Sequence, residues 1–103
     1  MYDYNILEDS ELIQRLSADD NHAFTEIYNR YWKKLFTVAA NKINDLDEAE
    51  EIVQDIFISL WRRREELTVI DTLSSYLAVS VKYKVIKLLD NRNNRQKYIG
   101  YSK

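Results

Sequence analysis

Asp45-Leu46-Asp47-Glu48-Ala49-Glu50-Glu51-Ile52-Val53-Gln54-Asp55-Ile56-Phe57-Ile58-Ser59-Leu60-Trp61 is the stretch that decides the fold. Its apolar residues Leu46, Ala49, Ile52, Val53, Ile56, Phe57, Leu60 and Trp61 recur every three or four positions, the period of one helix face. Asp45, with Glu48 three residues on, reads as a capping-box-like start. The acidic first turn suits the positive end of the helix dipole, and Arg62, Arg63 and Arg64 suit the negative end. The pattern predicts a helix over 45–66.

The same period extends in both directions. Upstream, Phe24, Ile27, Tyr28, Tyr31, Leu35, Val38 and Ala39 step by three and four and predict a helix over 22–43. Leu12, Ile13 and Leu16 predict a short helix over 9–18, with Ser10 or Asp9 as its cap. The polar run Ser17-Ala18-Asp19-Asp20-Asn21 ends it and offers the next cap. Downstream, Leu67 to Asp71 reads as a loop. Thr72 or Asp71 then caps a fourth helix over 72–92 whose inner face is Leu73, Tyr76, Leu77, Ser80, Val81, Lys84, Val85 and Leu88. Val79, Val81, Val85 and Ile86 are β-branched and lower helix propensity. The 3–4 spacing persists for over four turns and no strand partner is visible, so the helix reading wins. Past Asp90 the polar run Asn91 to Lys97 reads as a fraying linker.

With 103 residues, one proline-free domain is the natural size, and such a domain buries about 65% of its unfolded surface. A hydrophobic share of 46% beside a charged share of 31% excludes a disordered tail, and no run nears the ~20 apolar residues of a membrane span. Residues 1–11 hold no apolar leader, so a cytoplasmic protein is expected. There is no cysteine, hence no disulfide, thiolate metal site or cysteine nucleophile. Gly100 is the single glycine, which rules out glycine-rich phosphate loops and argues against tight hairpins. The fold class that remains is all-α, a compact bundle of about four helices.

Charge is divided along the chain. Residues 1–75 carry eight Lys/Arg against sixteen Asp/Glu, whereas 76–103 carry seven Lys/Arg against Asp90 alone. Two faces of opposite sign suggest two different partners. Glu48, Glu51 and Asp55 share a helix face. Di-metal bundles, however, add a Glu-x-x-His pair, and the one histidine, His22, follows no such Glu. No metal, cofactor or Ser/His/Asp arrangement is expected, and with them no enzyme. Outside the third helix stand Glu51, Gln54, Asp55, Ile58 and Arg62, an acidic surface with one aliphatic residue that suits a protein contact. Outside the fourth stand Val79, Lys82, Tyr83, Ile86, Lys87 and Asp90, followed by Arg92 and Arg95. Lysines interleaved with an aromatic suit single-stranded nucleic acid, where cations meet phosphate and the ring stacks on a base. A solvated basic helix end fits the same residues.

The run Asp47 to Trp61 resembles the core-polymerase-binding segment of small bacterial sigma factors, whose pattern is acidic-x-Ala-Glu-Asp-apolar-Val-Gln-acidic-x-Phe. Ala23-Phe24-Thr25-Glu26-Ile27-Tyr28-Asn29-Arg30-Tyr31 is similar to the preceding helix of that family. Ser75-Tyr76-Leu77 through Leu88-Leu89 is similar to its promoter-melting helix. The resemblance is to the extracytoplasmic-function type of the sigma-70 family and implies a region 2 domain over 9–92. Residues 93–103 would then begin a linker to a helix-turn-helix domain. It implies that Glu51, Gln54, Asp55, Ile58 and Arg62 contact the β′ clamp helices of core RNA polymerase. It further implies that Lys82, Tyr83, Lys87, Arg92 and Arg95, with Thr68, Asp71 and Thr72 in the preceding loop, capture the non-template strand of the −10 element. An anti-sigma factor is a further partner the family admits. The sequence departs from the family at Tyr76, Tyr83 and Lys87, where Trp, Asn, and Asn or Asp are common, and Asn91, Asn93 and Asn94 thin the basic tract. The competing reading is a small helical protein–protein adaptor with no nucleic-acid role.

Overall fold

The computed structural model describes residues 3–69 and 72–101, and the side chains of 3–67 and 72–92. Four α-helices follow one another: α1 (Asp9–Ser17), α2 (Asn21–Ile43), α3 (Leu46–Arg62) and α4 (Leu73–Tyr101). Short 3-10 turns cover Tyr4–Ile6 and Glu66–Val69. Among the described residues there is no strand, and the β-branched run Val79–Ile86 is helical.

Acidic and hydroxyl caps make the corners. Asp20 accepts from the amides of His22 and Ala23 (2.9 and 3.4 Å) at the start of α2, and from the Tyr4 hydroxyl at 2.7 Å. Burial pushes its carboxyl up, but these donors outweigh burial and hold it below the usual carboxylate range. Asp45 accepts from the Glu48 amide at 3.1 Å, and Thr72 from the Ser75 amide at 3.1 Å, as the sequence predicts. The chain turns without glycine because Asp19 (φ 66°) and Asn44 (φ 60°) take the left-handed conformation, which these residue types tolerate best after glycine. At α1 the expected cap moves: Glu8 is the capping residue and makes no side-chain bond, while Asp9 lies in the first turn. The Asp9 carboxylate is taken instead by Arg30, at 2.9 Å, and by the Tyr31 hydroxyl.

The inner faces meet in one core. It comprises Leu12, Ile13 and Leu16 of α1, Ala23, Ile27, Leu35, Ala39 and Ile43 of α2, and Ala49, Ile52, Val53, Ile56, Phe57 and Leu60 of α3. Leu67 of the second 3-10 turn and Leu73, Leu77, Val81 and Val85 of α4 complete it. Phe57, 2% exposed, packs against Tyr28 at 4.8 Å and edge-on to Phe24 at 6.4 Å between ring centres. No charged or polar residue is buried among the described residues.

Several expectations change. The third helix stops at Arg62 rather than 66, and the expected loop includes a 3-10 turn anchored by buried Leu67. The fourth helix does not end near 92 but runs to Tyr101, since no glycine or proline interrupts it before Gly100 and asparagine lowers helix propensity without breaking a helix. Val38 and Leu46, expected inside, are 40% and 66% exposed. Leu46 is the first residue of α3 and has no preceding turn beneath it. Val38 borders a groove that α4 leaves open.

Two outcomes follow from this packing. Phe57→Ala is expected to lower the unfolding free energy by ~3–5 kcal/mol in chemical denaturation, as a core truncation. The Tyr31 hydroxyl is pushed up to about 12 by burial and by its bond to Asp9. The neutral phenol's stabilising contribution is therefore present below its unfolded value of 10 and is lost as pH rises from 10 through 12. Tyr31→Phe should flatten that alkaline loss in thermal melts across this window, with the wild-type slope serving as control.

Candidate functional site

Burying Ala49, Ile52, Val53, Ile56, Phe57 and Leu60 turns the other side of α3 to solvent. Glu50, Glu51, Gln54, Asp55, Ile58 (52% exposed) and Arg62 all lie there. Gln54 donates to Glu50 at 3.4 Å, one turn back. Among the described residues no group of three His, Cys, Asp or Glu could hold a metal ion. This surface thus offers carboxylates and one aliphatic contact to a basic, partly apolar partner surface.

The outward side of α4 carries Val79, Lys82, Tyr83 (64% exposed), Ile86, Lys87 and Asp90. At about 100° per residue, Lys82 and Lys87 stand roughly 140° apart around the axis, so they flank Tyr83 rather than share its stripe. Lys82 borders the groove toward α2. Tyr83 borders a different cleft, of about 450 Å³, lined by Arg63, Thr72, Ser75, Tyr76, Val79, Ser80 and Tyr83. Tyr76 and Tyr83 furnish rings, Thr72 and Ser75 hydroxyls, and Arg63 a cation at the rim. The Ser80 hydroxyl donates to the Tyr76 carbonyl at 2.8 Å and so stays within the helix. Arg63 donates to Glu66 at 3.1 Å, and that carboxylate is the main cause holding its guanidinium above the usual value.

Arg63, Ser75, Tyr76 and Ser80 are not among the candidate site residues of the sequence, and Val79 stands there only in the outward set of the fourth helix. The signal for Tyr76 and Val79 is the 72/76/79/83 spacing, one helical stripe, whereas Arg63, Ser75 and Ser80 lie off it. Arg92, expected in the basic row, instead forms an ion pair with Glu48 in the first turn of α3 and is partly buried. Thr72 lines the cleft and also caps α4. The side chains of Thr68 and Arg95, and Asp71 altogether, lie outside the described residues.

The order of the helices, the acidic face and the aromatic cleft can now be set against known proteins. The family model for Sigma-70 region 2 matches residues 27–95, from the second turn of α2 through α3 and well into α4. The chain belongs to the sigma-70 region 2 family. Region 2 is a domain of transcription factors rather than of catalysts. No curated protein matches the chain. Among solved structures, the NMR structure of an engineered region 2 of sigmaE in complex with GTAAAA is similar. Its TM-score is 0.75, with 21% sequence identity, over 92% of this chain and 97% of that one. At that identity the likeness is one of fold. It covers a larger share of the chain than residues 27–95, which the family model matches.

Two basic residues of this region 2 domain should separate in a stability assay. Arg92→Ala breaks the pair with Glu48 and should cost up to about 1 kcal/mol, whereas Lys87→Ala should stay within about 0.5 kcal/mol of wild type. Parallel thermal melts at low and moderate salt check this, with the Arg92 effect shrinking as salt rises.

Proposed function

We infer that this domain is the part of an extracytoplasmic-function sigma factor that docks on core RNA polymerase through α3 and holds the opened −10 strand on α4. The observation that carries the reading is the cleft lined by Tyr76 and Tyr83, with Lys82 and Lys87 on either side of Tyr83 around the helix axis, in a domain of the region 2 family. An opened strand presents bases and phosphates together. The cleft offers rings and hydroxyls for a base turned out of the stack, at a cost of a few kcal/mol in lost stacking. The lysines offer charge for the phosphates on either side. The structural neighbour is a region 2 in complex with GTAAAA, which supports a nucleic-acid role for this fold.

Glu51, Gln54, Asp55, Ile58 and Arg62 are the proposed contacts to the β′ clamp helices. Carboxylates on a helix exterior complement a basic partner and mainly govern encounter rate and register. On this reading Lys82, Tyr83 and Lys87 meet the non-template strand, with Thr72 in the cleft lining. Arg92 acts at one remove, by fixing α4 against the start of α3. The reading also takes the segment after residue 92 to lead toward a second, helix-turn-helix domain, and places the protein in the cytoplasm with promoter DNA.

The test uses the chain assembled with core polymerase and a promoter fragment. Glu51→Lys with Asp55→Lys should abolish assembly while the melting temperature of the free domain hardly moves. Lys82→Ala and Lys87→Ala should each lower the salt slope of strand binding by about 0.7, and Tyr83→Ala should cost ~1–3 kcal/mol with no change of slope. If both lysine variants open the promoter normally with unchanged salt dependence, α4 is a scaffold and the adaptor reading replaces this one.

A further inference from the structure

The groove between α2 and α4 is a second recess, about 550 Å³ in volume, separate from the tyrosine-walled cleft. Leu35, Val81 and Val85 of the core form its floor. Val38 (40% exposed) of α2 and Ile86 (48%) and Ala78 of α4 line it as well. Two aliphatic side chains exposed over a floor of core residues make one continuous apolar recess, the kind of surface that a partner can cover. Its volume and lining fall within the range of ligand and peptide sites.

The rim decides what that occupant is. Lys34 and Lys42 stand on the α2 bank, eight residues and thus about 12 Å apart along the helix. Lys82 stands on the α4 bank. All three are exposed, and none pairs with a carboxylate among the described residues. A single-headed amphiphile such as a fatty acid would need a cation at one end of the groove only. Cations on both banks, spread over two helical turns, match a ligand with repeated negative charge and an apolar stripe. An α-helix with leucines at i, i+3, i+4 and i+7 and glutamates on both flanks has that form.

We propose that the α2–α4 groove is a docking site for an acidic amphipathic helix of a partner protein, seated on Val38 and Ile86 and clamped by Lys34, Lys42 and Lys82. The groove lies apart from the acidic face of α3 and from the cleft under Tyr83, and shares only Lys82 with the proposed strand contact. Neither the polymerase nor the nucleic-acid reading is needed for it.

The experiment is a titration of the isotopically labelled chain with a synthetic 18-residue amphipathic peptide of Leu, Ala and Glu, followed by NMR without nucleic acid. Shifts should centre on the methyls of Val38, Ala78, Val85 and Ile86. Lys34→Glu with Lys42→Glu should weaken the peptide about tenfold, the scale of two lost and reversed surface pairs. Ala78→Trp, at an exposed position, should fill the groove and abolish binding while the helical circular-dichroism spectrum is kept. A peptide with Gln for Glu that binds equally well would overturn the proposal, as would shifts that map elsewhere or no shifts at all. Two further outcomes would replace the occupant: dodecanoate binding the same methyls more tightly than the peptide, or a dimer in sedimentation that Ala78→Trp dissolves.

Discussion

The seam between α2 and α3, closed by Phe57 between Phe24 and Tyr28, is the contact on which the other features depend. An aromatic side chain buried to this degree admits one rotation of its helix about the long axis. Once Phe57 points inward, the neighbours at steps of three and four, Val53, Ile56 and Leu60, must follow it into the core. The remaining arc, from Glu51 to Arg62, is then turned to water as a single surface. The acidic face owes its coherence to an apolar contact on the opposite side of the helix.

The helices that carry these surfaces meet at corners built from side-chain oxygens instead of glycine. Asp20, Asp45 and Thr72 each satisfy amides that a helix start leaves without partners. Asp20 also ties Tyr4 to the bundle, and Asp9 ties α1 to Arg30 and Tyr31 on α2. A second clamp joins Arg64 to Asp19 at 2.6 Å, with its guanidinium 4.3 Å from the Trp61 ring, so the end of α3 is held to the corner between α1 and α2. Carboxylates near the N-termini therefore have two tasks, capping and cross-linking. The arc beyond the first turn of α3 keeps its carboxylates free of both tasks.

Much of this was legible in the chain. The all-α class, the order of four helices, the caps at Asp45 and Thr72, and the outward sets on α3 and α4 all follow from a period of 3.6 and the chemistry of helix starts. What stayed hidden depends on how helices meet rather than on the pattern within one. Val38 has the spacing of a core residue, yet it lies where α2 and α4 diverge. Arg92 reads as one more cation in a basic row until α4 brings it beside Glu48, more than forty positions earlier in the chain. The cleft needs Arg63 from one helix end and Tyr76 and Tyr83 from another, an arrangement that no single window of sequence contains. The end of α4 differs for a simpler reason: a polar run has the composition of a linker, but asparagine and arginine without glycine or proline can stay helical.

The division of labour on α4 follows from the same geometry. Lys82 and Tyr83 are adjacent in sequence, so they diverge by about 100° around the axis, and each borders a different recess. Residues one turn on repeat the split, Ile86 with Lys82 and Lys87 with Tyr83. The helix is held on its inner side by Leu77, Val81 and Val85, which leaves both flanks free at once. A strand in the same place would alternate only between two opposite faces and would have to bury one of them. A long helix with a narrow apolar stripe can instead present two binding flanks and still be fixed to the core. The β-branched residues of α4 fit that demand, because valine at positions 81 and 85 fills the stripe without widening it.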